Sequence, residues 1–326
     1  MHPQRPDGPA DTRGIYQSQR PEPPQQPERL EQPERPARLV VGVIGTGRVG
    51  GVLGAALARA GHTVVAAAGV SRDSVRRAER LLPGVPLVPA DEVVTRAELV
   101  LLAVPDDVLA GLVAGLAGAG RWRAGQLVVH TSGAYGVAVL EPAVRVGALP
   151  LALHPAMTFT DRPEDLDRLT GVSFGVTAPD PLRPVAEALV VEMGGEPVWI
   201  PEAARPLYHA ALASGANHLV TLVAQSVDLL RGAGVEDPAA VLAPLLGAAL
   251  DNALRCGDAA LTGPVARGDA GTVAQHLSTL AAHDPDAVPA YVALARLTAD
   301  RALASGRLRP EQAEALLDVL STRRTR

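Results

Sequence analysis

The stretch Val41–Gly50, VGVIGTGRVG, leaves this chain little choice of fold. An apolar run of strand length meets glycines spaced G-x-G-x-x-G, and a helical pattern follows at once. Gly45 permits a tight turn, Gly47 lets the backbone approach a ligand closely, and Gly50 lets the helix pack against the strand it follows. The loop Gly45-Thr46-Gly47-Arg48-Val49-Gly50 delivers a helix N-terminus, with its unpaired amides, to an anion. This is what a dinucleotide pyrophosphate requires. The second strand, Thr63–Ala68, arrives within the expected unit of about 30 residues.

The same alternation continues. Strands are predicted at Leu39–Ile44, Thr63–Ala68, Leu99–Val104, Leu127–His130, Ala148–Leu153 and Val172–Val176, with helices at Arg48–Ala60, Asp73–Leu82, from Asp106, and at Pro181–Met193. Continuous apolar strands separated by helices predict an α/β domain: a doubly wound, mostly parallel sheet covered on both faces. After Ile200 the strand signals stop. The expected organisation is a tail over residues 1–37, a dinucleotide-binding domain over 38–200, and an all-helical domain over 201–326.

Composition narrows the function. The tail holds nine of the 29 prolines and cannot bury enough apolar surface to order itself, so it reads as disordered. Net charge is −5 and aromatics make up 2%, which argues against a nucleic-acid surface. One cysteine, Cys256, excludes an intrachain disulfide framework and a Cys-rich metal site, and fits a cytoplasmic protein. No metal site is expected. The chain contains no lysine, so no Schiff base and no lysine acid is available. Pro206–Val227 carries no Asp, Glu or Arg, but its His, Ser, Asn and Gln residues are costly in lipid. It reads as a helix buried on all sides, with no membrane partner.

The end of the second strand selects the cofactor. An NAD site places an acid there to accept from the ribose 2′-hydroxyl. Here Ser71-Arg72 occupies that place, and Arg72 can pair with a 2′-phosphate, with Ser71 and Ser74 donating to it. Asp73 leaves NAD as the lesser alternative. Val104-Pro105 closes a later strand at the sheet edge where ligands sit, and is expected beside the nicotinamide ribose.

The chemistry is sought at that same edge. Ser132 and His154 follow two neighbouring strands and can converge over the nicotinamide. Moving a proton at a carbonyl oxygen suits a histidine at neutral pH. His209 and Asn217 lie on the uncharged helix, where buried polar groups need partners or a wet cleft. Arg267, in the broken turn that also holds Thr262, can clamp a substrate carboxylate or pair locally with Asp269.

The segments GVIGTGRVG, SRDS, LLAVPDD, HTSGA, LHPAMTF, YHAALASGANHLVTL and ALTGPVARGD, in this order, resemble the Rossmann-like family that carries the domain of unknown function 2520 at its C-terminus. That family stands in the group of 6-phosphogluconate dehydrogenase, pyrroline-5-carboxylate reductase, ketopantoate reductase and prephenate dehydrogenase. The resemblance implies an NADP-dependent oxidoreductase that is a homodimer packed through its helical domains. The Ser132–His154 layout is similar to prephenate dehydrogenase, where a serine orients a histidine. The lysine mechanism of other members does not carry over, and His209 and Asn217 are the nearest polar positions. The expected activity is NADPH-dependent reduction of a small 2-oxo acid or related carbonyl, ketopantoate among them. A dinucleotide-binding sensor without turnover is the alternative, and an adenosyl-cofactor methyltransferase a weaker one.

Overall fold

The structure, a computed structural model, describes residues 38–321. The tail predicted over 1–37 lies outside the described residues. The chain opens with β1 (Val40–Ile44), α1 (Arg48–Arg59), β2 (Thr63–Ala68), α2 (Arg72–Leu81), α3 (Ala90–Arg96), β3 (Leu99–Leu102) and α4 (Asp106–Gly118). Next come β4 (Leu127–His130), a one-turn α5 (Glu141–Val144), β5 (Leu149–Pro155), β6 (Ser173–Thr177), α6 (Arg183–Glu192) and β7 (Glu196–Trp199). The seven strands form one sheet in the order β2-β1-β3-β4-β5-β6-β7, parallel except where β6 runs against β5. The predicted mostly parallel, doubly wound sheet is therefore present.

The central strands are buried on both faces because they are apolar at nearly every position. In β3, Leu99 and Leu101 join a core with Val43, Leu53, Leu151 and Phe174, while Val100 and Leu102 join the opposite core with Leu109, Val113 and Trp122. Gly45, at φ +93°, makes the turn out of β1, and a Cβ there would fall on the Ala103 carbonyl. A Cβ at Gly50 would strike the carbonyl of Gly45, so this crossing of loop and helix admits no side chain.

Three elements escaped the sequence, the one-turn α5 among them. The seven-residue α3 is too short for a clear helical period, and β7 is an edge strand interrupted by Pro197. One boundary moved with consequence: β5 continues through Pro155, so His154 stands in a strand rather than in the turn after it.

From Leu39 onward strands and helices form one compact unit. After Trp199 the described residues are helical: α7 (Arg205–Leu212), a π-helical turn Ala213–Asn217, α8 (His218–Gly232), α9 (Pro238–Cys256), α10 (Gly263–Ala266), α11 (Ala270–His283), α12 (Ala287–Ala304) and α13 (Pro310–Ser321). Val265, Val273, Leu277, Ala299 and Leu316 build a small core among the last four. The uncharged helix is not buried on all sides as expected. No residue of α8 is buried, and α9 buries only Pro238 and Leu242. Too few of the described elements flank the pair to cover them. Among the described residues, one stretch, Pro238–Ala266, is long and apolar enough to cross a membrane by length and composition.

The two halves are joined by a buried cation. Arg205, at the start of α7, is fully buried and donates to the Thr177 hydroxyl at 2.8 Å and to the carbonyls of Ser132 (3.3 Å), Ala152 (3.0 Å) and Gly175 (2.9 Å). These acceptors come from β5, β6 and the loop after β4. A planar fork is needed to reach them together, and an ammonium cannot do so. We expect Arg205→Lys to lower the unfolding free energy by about 3 kcal/mol, read from urea midpoints at pH 7. A change within error would show that the lysine rescues the network.

Candidate active site

The loop after β1 is shaped for a dinucleotide. Space beside Gly47 is open where a Cβ would stand, and α1 begins there with no side-chain cap and no acidic residue in its first turn. Its first amides are therefore free to face an anion. Gly47, Arg48 and Val49 line a cleft of ≈ 420 Å³ with Val104, Pro105, Asp106, the Thr131–Gly133 turn, His154 and His209. The residues fit a nicotinamide dinucleotide, and the Val104-Pro105 turn falls on the cleft wall.

A second cavity of ≈ 220 Å³ adjoins it, lined by His154, His209, Met157, Thr158, Ala213 and Asn217 among others. The two histidines belong to both linings. Asn217 and Ala213 reach the cavity from the π-helical turn, a wider winding that recurs at functional sites. Gly133 keeps the junction open, since a Cβ there would lie 2.9 Å from Nε2 of His154 and 2.8 Å from His209.

Residues 24–155 match the Rossmann-like domain family, and residues 172–298 match the domain of unknown function DUF2520. The chain is a Rossmann-like domain joined to a DUF2520 domain. No curated protein matches it. Among solved structures, a candidate NADP oxidoreductase from Bacteroides fragilis is similar at a TM-score of 0.68 and 22% identity, covering 81% of this chain and 98% of its own. A Thermotoga maritima protein is similar at 0.58 and 21%, covering 82% and 99%. An imine reductase from Pseudomonas sp. follows at 0.53 and 18%, covering 87% and 93%. These likenesses show the fold.

In this Rossmann-like/DUF2520 chain, the partner of His154 is not the one expected. Ser132 Oγ accepts from the backbone amides of Ala134 and Tyr135, both at 3.2 Å, and so braces its own turn. Nδ1 of His154 instead meets the Tyr208 hydroxyl at 3.0 Å, with the rings edge to face. Gly175, opposite His154 on β6, makes room for that phenol: a Cβ there would lie 2.6 Å from Oη. Arg205 is the site residue that sequence reasoning missed; Tyr208-His209 stands out on the uncharged helix as polar groups in need of partners, but not as the partner of His154. The signal was present in the RPLYH run, but only the packing of α7 on β5 and β6 gives it meaning.

The electrostatics follow from burial. Desolvation, the Arg205 charge and neighbouring His209 push His154 down to about 4, so at neutral pH it is an uncharged imidazole. The same desolvation raises the phenol of Tyr208. His130, fully buried, is also pushed down to about 4. It bonds the Gly136 carbonyl through Nε2 at 2.9 Å and accepts from the Ser132 amide through Nδ1, which makes it a structural histidine.

At the adenine end, Arg72 is exposed and has no recorded partner among the described residues, while Asp73 is paired with Arg76 at 2.8 Å. Ser71 caps α2 by accepting from the Ser74 amide. Ser74 does not serve as a phosphate donor: it is buried, and its hydroxyl donates to the Ser71 carbonyl at 2.7 Å. The short turn that caps α2 consumes it. Thr46 is likewise buried, donating to the Ser74 carbonyl at 3.0 Å, so its side chain fastens the loop from below. Arg267 and Thr262 do not line either cavity at His154. The Gly263-Pro264 break starts α10 on the helical core, which leaves Arg267 exposed beside Asp269, and Thr262 lines a separate pocket with His276 and Tyr291.

Stability should record the buried histidine. The folded-state value of His130 lies below the ordinary 6.5, so between about 6.5 and about 4 the unfolded chain binds more protons. His130 favours folding fully above that window, and the contribution fades as pH falls through it, by on the order of 3 kcal/mol. Urea midpoints measured across the window should fall more steeply for the wild type than for His130→Asn. Parallel curves would exclude His130 as a source.

Proposed function

We propose that this chain is an NADP-dependent reductase of a small carbonyl compound. The observation that carries this reading is the shared wall: His154 and His209 close the cofactor-side cleft and open onto the adjoining cavity. A reduced nicotinamide supplies a hydride. His154 stands where the oxygen of a bound carbonyl gains its proton, with Asn217 and Thr158 as polar groups to orient the substrate. The 2-oxo acid expected from the sequence keeps its partner at the carbonyl, but neither lining offers a guanidinium except Arg48 on the cofactor side. The support is therefore for the carbonyl, not for the acid.

Unpaired Arg72 favours NADP over NAD, because a guanidinium suits a 2′-phosphate and Asp73 is already engaged. The similar Bacteroides fragilis protein, a candidate NADP oxidoreductase, fits this reading. Cys256, exposed and free, suits a reducing cytoplasm.

The test is a panel of small ketones and 2-oxo acids, followed by loss of nicotinamide absorbance. NADPH should outperform NADH, and Arg72→Ala should remove most of that difference, on the order of 1.5–3 kcal/mol. His154→Ala should lower kcat by about 10²–10⁴-fold while NADPH affinity holds. Tight NADPH binding with no turnover of any compound would instead assign a sensor.

We also propose that the working form is a homodimer. Leu219, Val220, Leu222, Leu245, Leu250 and Leu254 expose their side chains on α8 and α9, which touch each other. An uncovered apolar helix pair gains most by meeting its own copy. Light scattering at micromolar concentration should give twice the chain mass, and Leu222→Arg with Leu250→Arg should give one. A wild-type monomer that binds lipid vesicles would assign the face to a membrane.

A further inference from the structure

The hydrogen bond between Tyr208 and His154 has a polarity, and that polarity constrains the substrate. A half-buried phenol hydroxyl needs an acceptor. The Gly175 backbone amide donates to the phenol oxygen, which leaves Nδ1 of His154, at 3.0 Å, as the hydroxyl's one recorded acceptor among the described residues. An imidazole nitrogen is the better acceptor of the pair, so the hydroxyl donates and Nδ1 receives. A neutral imidazole carries one N–H, and with Nδ1 accepting, that hydrogen sits on Nε2. Nε2 has no recorded partner among the described residues and lies against Gly133, at the mouth shared by the two cavities.

We propose that Tyr208 fixes His154 as the Nε2–H tautomer, so that the site takes a neutral acceptor at the reacting atom, a ketone or aldehyde oxygen, and rejects a protonated imine. An iminium nitrogen presents its own N–H, which would face the Nε2–H donor to donor. It would also bring a positive charge near buried Arg205, whose charge, after burial itself, helps hold the imidazole neutral. This rests on the reductase reading above and names its substrate class.

The proton balance follows. As the carbonyl carbon gains a hydride, its π pair moves to oxygen, and that oxygen takes the Nε2 proton. Nδ1 recovers a proton from the Tyr208 hydroxyl, so the imidazole remains neutral throughout. The phenolate left behind faces the guanidinium of Arg205, whose charge offsets part of its desolvation; when the product leaves, solvent in the open cleft protonates Nε2 and Nδ1 hands its proton back to the phenolate, which restores the Nε2–H tautomer. His154 is the catalytic residue and Tyr208 a positioning residue that acts through it.

Long-range proton–nitrogen NMR of the full chain reads the tautomer without turnover, with His154→Gln used to assign the signal. The wild type should show Nε2–H at pH 7, and Tyr208→Phe should show both tautomers. An Nδ1–H wild type overturns the proposal whatever the enzyme reduces, and it does so even if Tyr208→Phe fails to fold. In turnover, Tyr208→Phe should lower kcat by about 10- to 100-fold and leave the KM for NADPH unchanged. The wild type should reduce small ketones and leave a cyclic iminium untouched. Reduction of the iminium alone overturns the substrate class. No turnover of either compound, with Nε2–H observed, overturns the reductase reading and leaves the tautomer assignment standing.

Discussion

A fully buried guanidinium that, among the described residues, makes no ion-pair contact with a carboxylate organises this molecule. Arg205 satisfies its donors on backbone carbonyls and one hydroxyl drawn from β5, β6 and the turn after β4. Burying a charge is costly unless its hydrogen bonds are met, so the geometry around Arg205 is tightly prescribed. That prescription sets where α7 leaves the sheet. It thereby sets where Tyr208 and His209, three and four residues further on, meet His154. Burial does most to keep His154 neutral and the same charge adds to it, so a structural clamp also tunes the group beside the cofactor cleft.

The site is assembled from two kinds of local structure. The loop after β1 depends on what is missing: side chains at Gly45 and Gly50, and any cap or acid on the first turn of α1. The substrate side depends on what is present, a strand histidine, a helix phenol and a π-helical turn that brings Asn217 inward. The two meet at Gly133, where the absence of a Cβ keeps Nε2 of His154 accessible. Pyrophosphate recognition and proton handling are thus separable, and each can be perturbed without the other.

The helical half is a different physical object from the sheet. Its own core, around Val273, Leu277 and Leu316, is small, and it leaves α8 and most of α9 uncovered. A helix without charge over Pro206–Val227 reads from sequence as a core helix, because periodicity and composition report that a face avoids water. They do not report whether the cover comes from the same chain.

What the sequence determined by itself is local and periodic. The strand, glycine loop and helix from Val41, the apolar strands at Leu99 and Leu127, and the helical character after Ile200 follow from short-range stereochemistry and from patterns that any window of residues displays. The positions of His154, His209 and Asn217 were legible as polar exceptions in apolar surroundings. What only the tertiary structure decided is partnership. Ser132 and His154 are close in the sheet order, yet the hydroxyl turned to its own loop and a phenol 54 residues away took Nδ1. Ser74 looked like a phosphate donor until the turn that caps α2 buried it. Arg267 looked like a clamp until the Gly263-Pro264 break carried it away from His154. A hydrogen bond depends on the direction of two side chains to within a fraction of an ångström, and direction is set by packing between elements distant in the chain.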